Sequence, residues 1–392
     1  MFGFEQRELL DIMENAEDWA GFSPIRGRRP NDWPKRMAAA IGLLENHKGW
    51  SKNQWAYRLE EASTTSDFPY LLGDVIDRKL IAAYQAQPHV MRQIVRVDPN
   101  ISNFNEVRRK TFDALTSPMQ KVTQEAGYEK DKPEEGQYTY SIDVWGKLME
   151  FTWKSYVNDD LGALNRIPEG LAQSAAATEE LFLTKLFFNS AGAIDAYFDH
   201  ASGKGQNGVA STPLAIANLE ACLQEMTGSQ AGVTDYTTGR DVPVANNPAF
   251  LLLPPSLEYT ALNIMASAGV QWTLTGSTDV TLARQATANT VARAGLRILK
   301  NPYIPYVVTT GTLGQTTWAV FSDTIPAGEL GLLAGHAAPE LFLKSSNAEP
   351  ISGGASGPFS GSFENDTITY KGRHCLGGTT LDPRGGWASD GQ

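Results

Sequence analysis

A stretch of strict alternation following a charged tip constrains this chain more than any other feature. Residues 125–136 are polar and charged, and Pro133 and Gly136 mark a turn. Beyond them Tyr138, Tyr140, Ile142 and Val144 occupy one side, with Thr139, Ser141, Asp143 and Trp145 on the other. Period-two patterning after such a tip predicts the return arm of a long β-hairpin. A two-stranded ribbon is marginal by itself in water. The fold must therefore give it something to lean on.

Helical patterns flank this ribbon. Leu9, Leu10, Met13, Ala16 and Trp19 recur at spacings of three and four, predicting an amphipathic helix over residues 4–20. A turn-rich break with Arg26, Arg28 and Arg29 follows, then a second helical stretch over 35–46. These pieces hold too few apolar residues for a core and are expected to order on neighbouring material. Residues 67–85 predict another helix, with Leu71, Leu72, Val75, Leu80 and Ala83 near one face. After the ribbon, Arg166, Ile167 and Pro168 open a long helix to about Asn189. Pro168 suits a first turn, where its missing N–H costs nothing. About twenty residues would run on the order of 30 Å, a spine for the domain.

Residues 203–331 read as an α/β module. Thr212 and Pro213 are expected to cap a helix running to about Met226. Residues 249–253 form a buried strand, Pro254 and Pro255 start a helix through Met265, and residues 318–321 form another strand. Strand character returns at 340–344 and 367–375. The class is α+β.

Several chemistries are set aside on residue grounds. The formal charge is −11, from 33 basic and 44 acidic residues. A chain that neutralises phosphates would carry a basic excess, so any contact with DNA is expected to be weak and non-specific. Cys222 and Cys375 lack metal-ligand spacing and are expected as buried free thiols. The longest apolar runs are too short for a bilayer, and the first residues lack a secretory pattern, so maturation in the cytoplasm is expected. Gly203–Gly208 is a formal GxGxxG without the preceding strand that a dinucleotide site needs, and reads as a loop. The histidines, His47, His89, His200, His336 and His374, show no HExxH spacing. His374 and Cys375 are neighbours on a strand and must face opposite sides, so His374 reads as structural. Gly353–Gly357 fails the nucleophile-elbow spacing. Asp159 and Asp160 suit a turn and the start of the spine. No catalytic, cofactor-binding or metal residue is assigned, and no enzyme activity is expected. What remains are contact residues. Lys130, Lys132, Glu134 and Glu135 at the expected hairpin tip read most simply as a solvated charged turn, with intersubunit salt bridges as the sharper hypothesis, and Arg26, Arg28 and Arg29 are expected to meet acidic neighbours in preference to DNA.

Four stretches resemble the phage major capsid family, in its Mu-like branch and the capsid segments fused to prohead proteases. They are residues 64–75, residues 136–146 continuing through 157–168, residues 318–323, and residues 366–385. Asn158, Asp159 and Asp160 leading to Leu161, Gly162 and Ala163 form the most specific part. The resemblance spans roughly residues 60–390 and implies the Hong Kong 97-type fold. It implies an N-terminal arm (1–62), a first part of the P-domain (63–104), an E-loop hairpin (105–155), a spine (156–202), an inserted A-domain (203–331), and closing P-domain strands with a tail (332–392). It further implies hexamers and pentamers of the chain itself in an icosahedral shell around double-stranded DNA. Portal, scaffold, prohead protease and decoration proteins would be partners, with no membrane and no cofactor. Assembly would take place in the bacterial cytoplasm. Any maturation protease is expected to be a separate protein, and the Lys–Asn cross-link of some relatives does not carry over. The alternatives are an encapsulin-like compartment shell and, in another class, a secreted β-rich hydrolase.

Overall fold

The computed structural model describes residues 78–112, 135–152, 154, 162–198, 209–229, 231–234, 241–243, 246–267, 269–273, 284–348, 351 and 362–391. The predicted helices over 4–20 and 35–46, and the first part of that over 67–85, lie outside these residues.

Helix α1 (residues 78–85) buries Leu80 and Tyr84, one turn apart, against the spine residues Leu171, Ala172, Ala175 and Ala176. A 3-10 turn, Met91–Gln93, leads into strand β1 (Arg96–Ile101). The ribbon follows. β2 (Val107–Phe112) pairs antiparallel with β3 (Glu135–Tyr140), from Val107 opposite Tyr140 to Phe112 opposite Glu135. The pairing breaks at Ser141, and β4 (Ile142–Thr152) runs on with a different partner. The alternation read from sequence thus belongs to two strands. Tyr140 and Ile142 are buried as expected, but Val144 is 58 % exposed because β4 has turned away from the ribbon.

The spine, α2 (Gly162–Phe187), has 26 residues, about 39 Å at the rise of an α-helix. Its buried stripe includes Ile167, Leu171, Ala172, Ala175, Ala176, Leu183 and Phe187, the spacing of one helical face. Pro168 lies inside this helix and not in its first turn. The helix starts earlier than Pro168 suggested, so the carbonyl one turn before it loses a backbone donor.

A small hairpin, β5 (Phe188–Asn189) with β6 (Gly192–Ala193), ends the spine. Helix α3 (Ile216–Gln224) runs on into a π-helical turn, Glu225–Ser229. Its N-cap is Ala215 and makes no side-chain bond. Thr212 is engaged instead by Ser389, whose Oγ accepts the Thr212 N–H at 2.9 Å. A tertiary partner has taken the residue expected as a cap. The hairpin β7 (Ala231–Thr234) with β8 (Asp241–Pro243) precedes the buried strand β9 (Pro248–Leu253). Pro255 starts a 3-10 turn that enters α4 (Glu258–Ala266). The hairpin β10 (Gly269–Thr273) with β11 (Arg284–Ala288) and then β12 (Arg297–Lys300) follow. The last strands are β13 (Trp318–Ser322), β14 (Gly328–Leu333), β15 (Glu340–Leu343), β16 (Thr367–Thr380) and β17 (Gly386–Ser389).

Two sheets organise these strands. In the first, the order is β1-β14-β16-β15, with β4 on the other edge of β16. β16 is long enough, at 14 residues, to pair β4 along one side and both β15 and β14 along the other. Only β1 and β14 run parallel here. The second sheet has the order β12-β9-β13-β17, parallel at β12–β9 and antiparallel elsewhere.

Alternation divides the second sheet cleanly. Phe250, Leu252, Ala319, Phe321 and Ala388 face a core that also holds Leu183, Phe187, Leu330 and Leu332. Leu251, Leu253, Trp318, Val320 and Trp387 face the other way, onto Leu219 and Cys222 of α3 and Ala261 and Ile264 of α4. Strands buried on both faces read as continuous apolar runs, which is why residues 249–253 and 318–321 were legible. Cys222 and Cys375 are both free and buried, as expected.

Candidate assembly site at the ribbon base and spine

The first sheet has one face against the spine and one away from it. Ile368, Tyr370, His374 and Leu376 of β16 are buried toward the spine side, while Cys375 packs on the opposite face with Ile101, Tyr140 and Ile142. His374 and Cys375 therefore diverge, as their adjacency required.

The ribbon base crosses that outer face in a notch made by two glycines. A Cβ on Gly331 would come within 2.6 Å of both Ile101 and the Tyr140 ring, and one on Gly377 within 2.1 Å of the Ser141 carbonyl oxygen. These two residues pair across β14 and β16. Only glycine allows the chain to pass so close. Beside the notch lies Glu329 of β14, 1 % exposed. Its Oε1 accepts from the Arg109 Nε at 2.8 Å and from the Tyr140 hydroxyl at 2.5 Å. Arg109 comes from β2 and Tyr140 from β3, so one carboxylate holds both ribbon strands. The Arg109 guanidinium also pairs with Asp98 of β1. Hydrogen bonding to Glu329 pushes Arg109 further up, and burial followed by the Glu329 bond pushes the Tyr140 phenol up.

A second polar cluster sits on the spine. Glu179 and Glu180 fall on its buried stripe, 0 % and 5 % exposed. Glu179 accepts from the Arg92 Nε and Nη2, the latter at 2.7 Å, and from the Tyr84 hydroxyl. His89 and His374 lie 3.6 and 3.7 Å from it. Burial alone would raise Glu179, but the Arg92 and His374 contacts prevail and hold it at about 2. Glu180 accepts the Met91 backbone N–H at 3.1 Å. Burial, reinforced by the Glu179 charge, pushes it up to about 7. Together the pair fastens α1 and the turn after it to the spine.

Away from the ribbon, the outer face is open among the described residues. Leu148, Lys371 and Phe342 stand in register across β4, β16 and β15, and Leu148 is 63 % exposed. Lys371 and Arg373 each approach the Phe342 ring at 4.6 Å. Glu340 accepts from Arg373 and is paired with His336.

Of the contact residues expected from sequence, Arg26, Arg28, Arg29, Lys130, Lys132 and Glu134 lie outside the described residues. Glu135 begins β3 opposite Phe112. Gly203–Gly208, Asp159, Asp160, His47, His200 and Gly353–Gly357 also lie outside them. Sequence reasoning missed both clusters. Glu179 and Glu180 had a signal, since they fall at helical spacing on an apolar stripe; Arg109 and Glu329, 220 residues apart, had none. Among the described residues no helix is long and apolar enough to cross a membrane, and no group of His, Cys, Asp and Glu could hold a metal.

No curated protein matches the chain. Solved structures with a similar path include a chain from Gordonia phage Cozz (14 % identity, 77 % of this chain and 85 % of that one, TM-score 0.42). The capsid of the cyanophage P-SCSP1u is similar at 9 % identity, 77 % and 88 % coverage and TM-score 0.45. The SrpI encapsulin complex of Synechococcus elongatus PCC 7942 is similar at 11 % identity, 78 % and 88 % coverage and TM-score 0.43. The assignment rests instead on a family match: residues 136–389 match the phage capsid protein family. The α+β architecture agrees with the Hong Kong 97-type fold that the resemblance implied. The match spans well over half of the chain, which belongs to the phage capsid protein family as a structural subunit that assembles with its own copies into the shell of a virion.

Proposed function

We propose that this chain is the major capsid protein of a tailed bacteriophage in the Mu-like branch, its copies closing an icosahedral shell around double-stranded DNA. The observation that carries this reading, beside the family match, is the ribbon. Gly136, Gln137 and Thr139 of β3 and Arg108 and Lys110 of β2 are exposed, so among the described residues these ribbon positions are left uncovered by the body. An exposed two-stranded ribbon needs a partner, and a neighbouring copy supplies one. Weak contacts repeated over many copies then sum to a stable closed particle.

The finer parts of the reading follow from it. The arm, P-domain, E-loop and A-domain boundaries given above are the proposed modules. In support, β14, at the proposed boundary at 331, lies in the first sheet, and β17, from the closing segment, lies in the second. Portal, scaffold, prohead protease and decoration proteins are the proposed partners, with weak DNA contact and assembly in the host cytoplasm. The chain's role is binding and not catalysis.

Electron microscopy of the expressed full chain tests this directly. Closed particles are expected, and a well-behaved monomer at high concentration sinks the reading. An encapsulin-like compartment shares the shell and differs in contents. Nuclease-protected DNA in particles from the native source supports the virus, whereas a co-purifying cargo enzyme supports the compartment.

A further inference from the structure

Among the described residues the ribbon meets the body at one crossing, where few groups set its direction. The chain enters β2 after the loop that follows β1 and leaves β3 through the break at Ser141. A ribbon held only by its two backbone ends could pivot about that crossing. It is restrained by contacts from both strands to one side chain. Arg109 of β2 and Tyr140 of β3 end on the same oxygen of Glu329, at 2.8 and 2.5 Å. Asp98 of β1 holds the Arg109 guanidinium from a third strand.

We propose that Glu329 is the positioning residue that fixes the direction in which the ribbon leaves the body, and thereby the spacing and curvature at which one copy engages the next. This rests on the assembly reading above.

Three features support the role. Glu329 is itself fixed, because β14 is paired on both sides, with β1 and with β16. Glu329 is 1 % exposed with the ribbon seated on it, so a ribbon that swung away would give up a charge-assisted bond from Arg109 and a short bond from Tyr140 at once. The Tyr140 ring lies against Gly331, and the Ser141 carbonyl that follows it lies against Gly377, so the bare glycine backbones receive the base of β3. Carboxylate and notch together define one seat for the ribbon, with shape and charge agreeing.

The test compares the full chain with Tyr140→Phe, Arg109→Lys and the double variant Arg109→Met/Tyr140→Phe. Tyr140→Phe removes the hydroxyl and leaves a ring for the notch. Two quantities are read: amide hydrogen exchange, in the state in which the wild type purifies, and particle diameter by electron microscopy. In the double variant the amides of β2 and β3 are expected to exchange about tenfold faster while those of β13 stay protected. Its particles are expected to spread in diameter or to include open and tubular forms, with Arg109→Lys in between. A merely structural role would lower the yield and leave the diameter alone. Wild-type diameters together with intact folding overturn the proposal. If the double variant fails to fold, Tyr140→Phe carries the test, and unchanged ribbon exchange and diameter overturn it. A wild-type chain that forms no particles counts against the assembly reading alone. Exchange then still decides the positioning role, which accelerated ribbon amides sustain and unaltered ones end.

Discussion

Glu180 occupies a position where the spine's spacing calls for an apolar residue, and it is buried there, 5 % exposed. Its folded-state value of about 7 exceeds the ordinary 4.5. The group therefore favours the folded state most below pH 4.5, and that contribution is lost as pH rises through 7, about 3 kcal/mol in all. Glu179 acts in the opposite sense: its value of about 2 gives a contribution present above 4.5 and lost as pH falls toward 2. Glu180→Gln keeps an acceptor for the Met91 N–H and removes the titration. Denaturant unfolding should find it more stable than wild type at pH 8 by about 1–3 kcal/mol and nearly equal at pH 4. An equal difference at both pH values would refute this account. Gly377 offers a second test. A Cβ there meets the backbone of Ser141 and Ile142, whereas one at Gly372 meets the end of the Leu171 side chain, which can shift. Gly377→Ala should lower stability by about 1–3 kcal/mol, and clearly more than Gly372→Ala, in thermal unfolding.

Among the elements, the spine departs most from its sequence reading. Pro168 interrupts the hydrogen bonding of a helix that begins at Gly162. Pro168→Ala should therefore raise the unfolding midpoint, by an amount equivalent to about 1–3 kcal/mol. No change would mean that the turn before Pro168 contributes little. What sequence made legible follows a pattern. β9, β13 and β16 were found because burial writes continuous or alternating apolar runs into short stretches. The expected Thr212 cap failed because Ser389, 177 residues away, binds it. The break at Ser141 was invisible because alternation continues through it while the pairing partner changes. The ribbon base was unreadable for the same reason: Glu329 and Tyr140 look like ordinary surface and strand residues until the fold brings them together.

For the whole molecule, the predictions concern contacts between copies. If Lys130 and Lys132, expected from sequence at the hairpin tip, pair with acidic neighbours, reversing both charges should make assembly more salt-sensitive. Light scattering across a salt series would show this, and identical profiles would count against it. Neutralising Arg26, Arg28 and Arg29 should reduce particle yield without changing the DNA packaged per particle; the reverse pattern would favour DNA contact.

The long β4–β16 pairing also bears on how the protein is made. Thr152 pairs with Thr367, about 215 residues further along the chain, so at roughly 5–20 residues per second the earlier strand emerges some 10–40 s before its mate. During that interval an eleven-residue strand with Val144, Trp145 and Leu148 outward has no sheet to join. Heavy expression multiplies such half-finished chains in one cell, and they can stick to one another before any is complete. Chaperone supply and growth temperature should therefore govern the soluble yield of this protein as much as its final stability does.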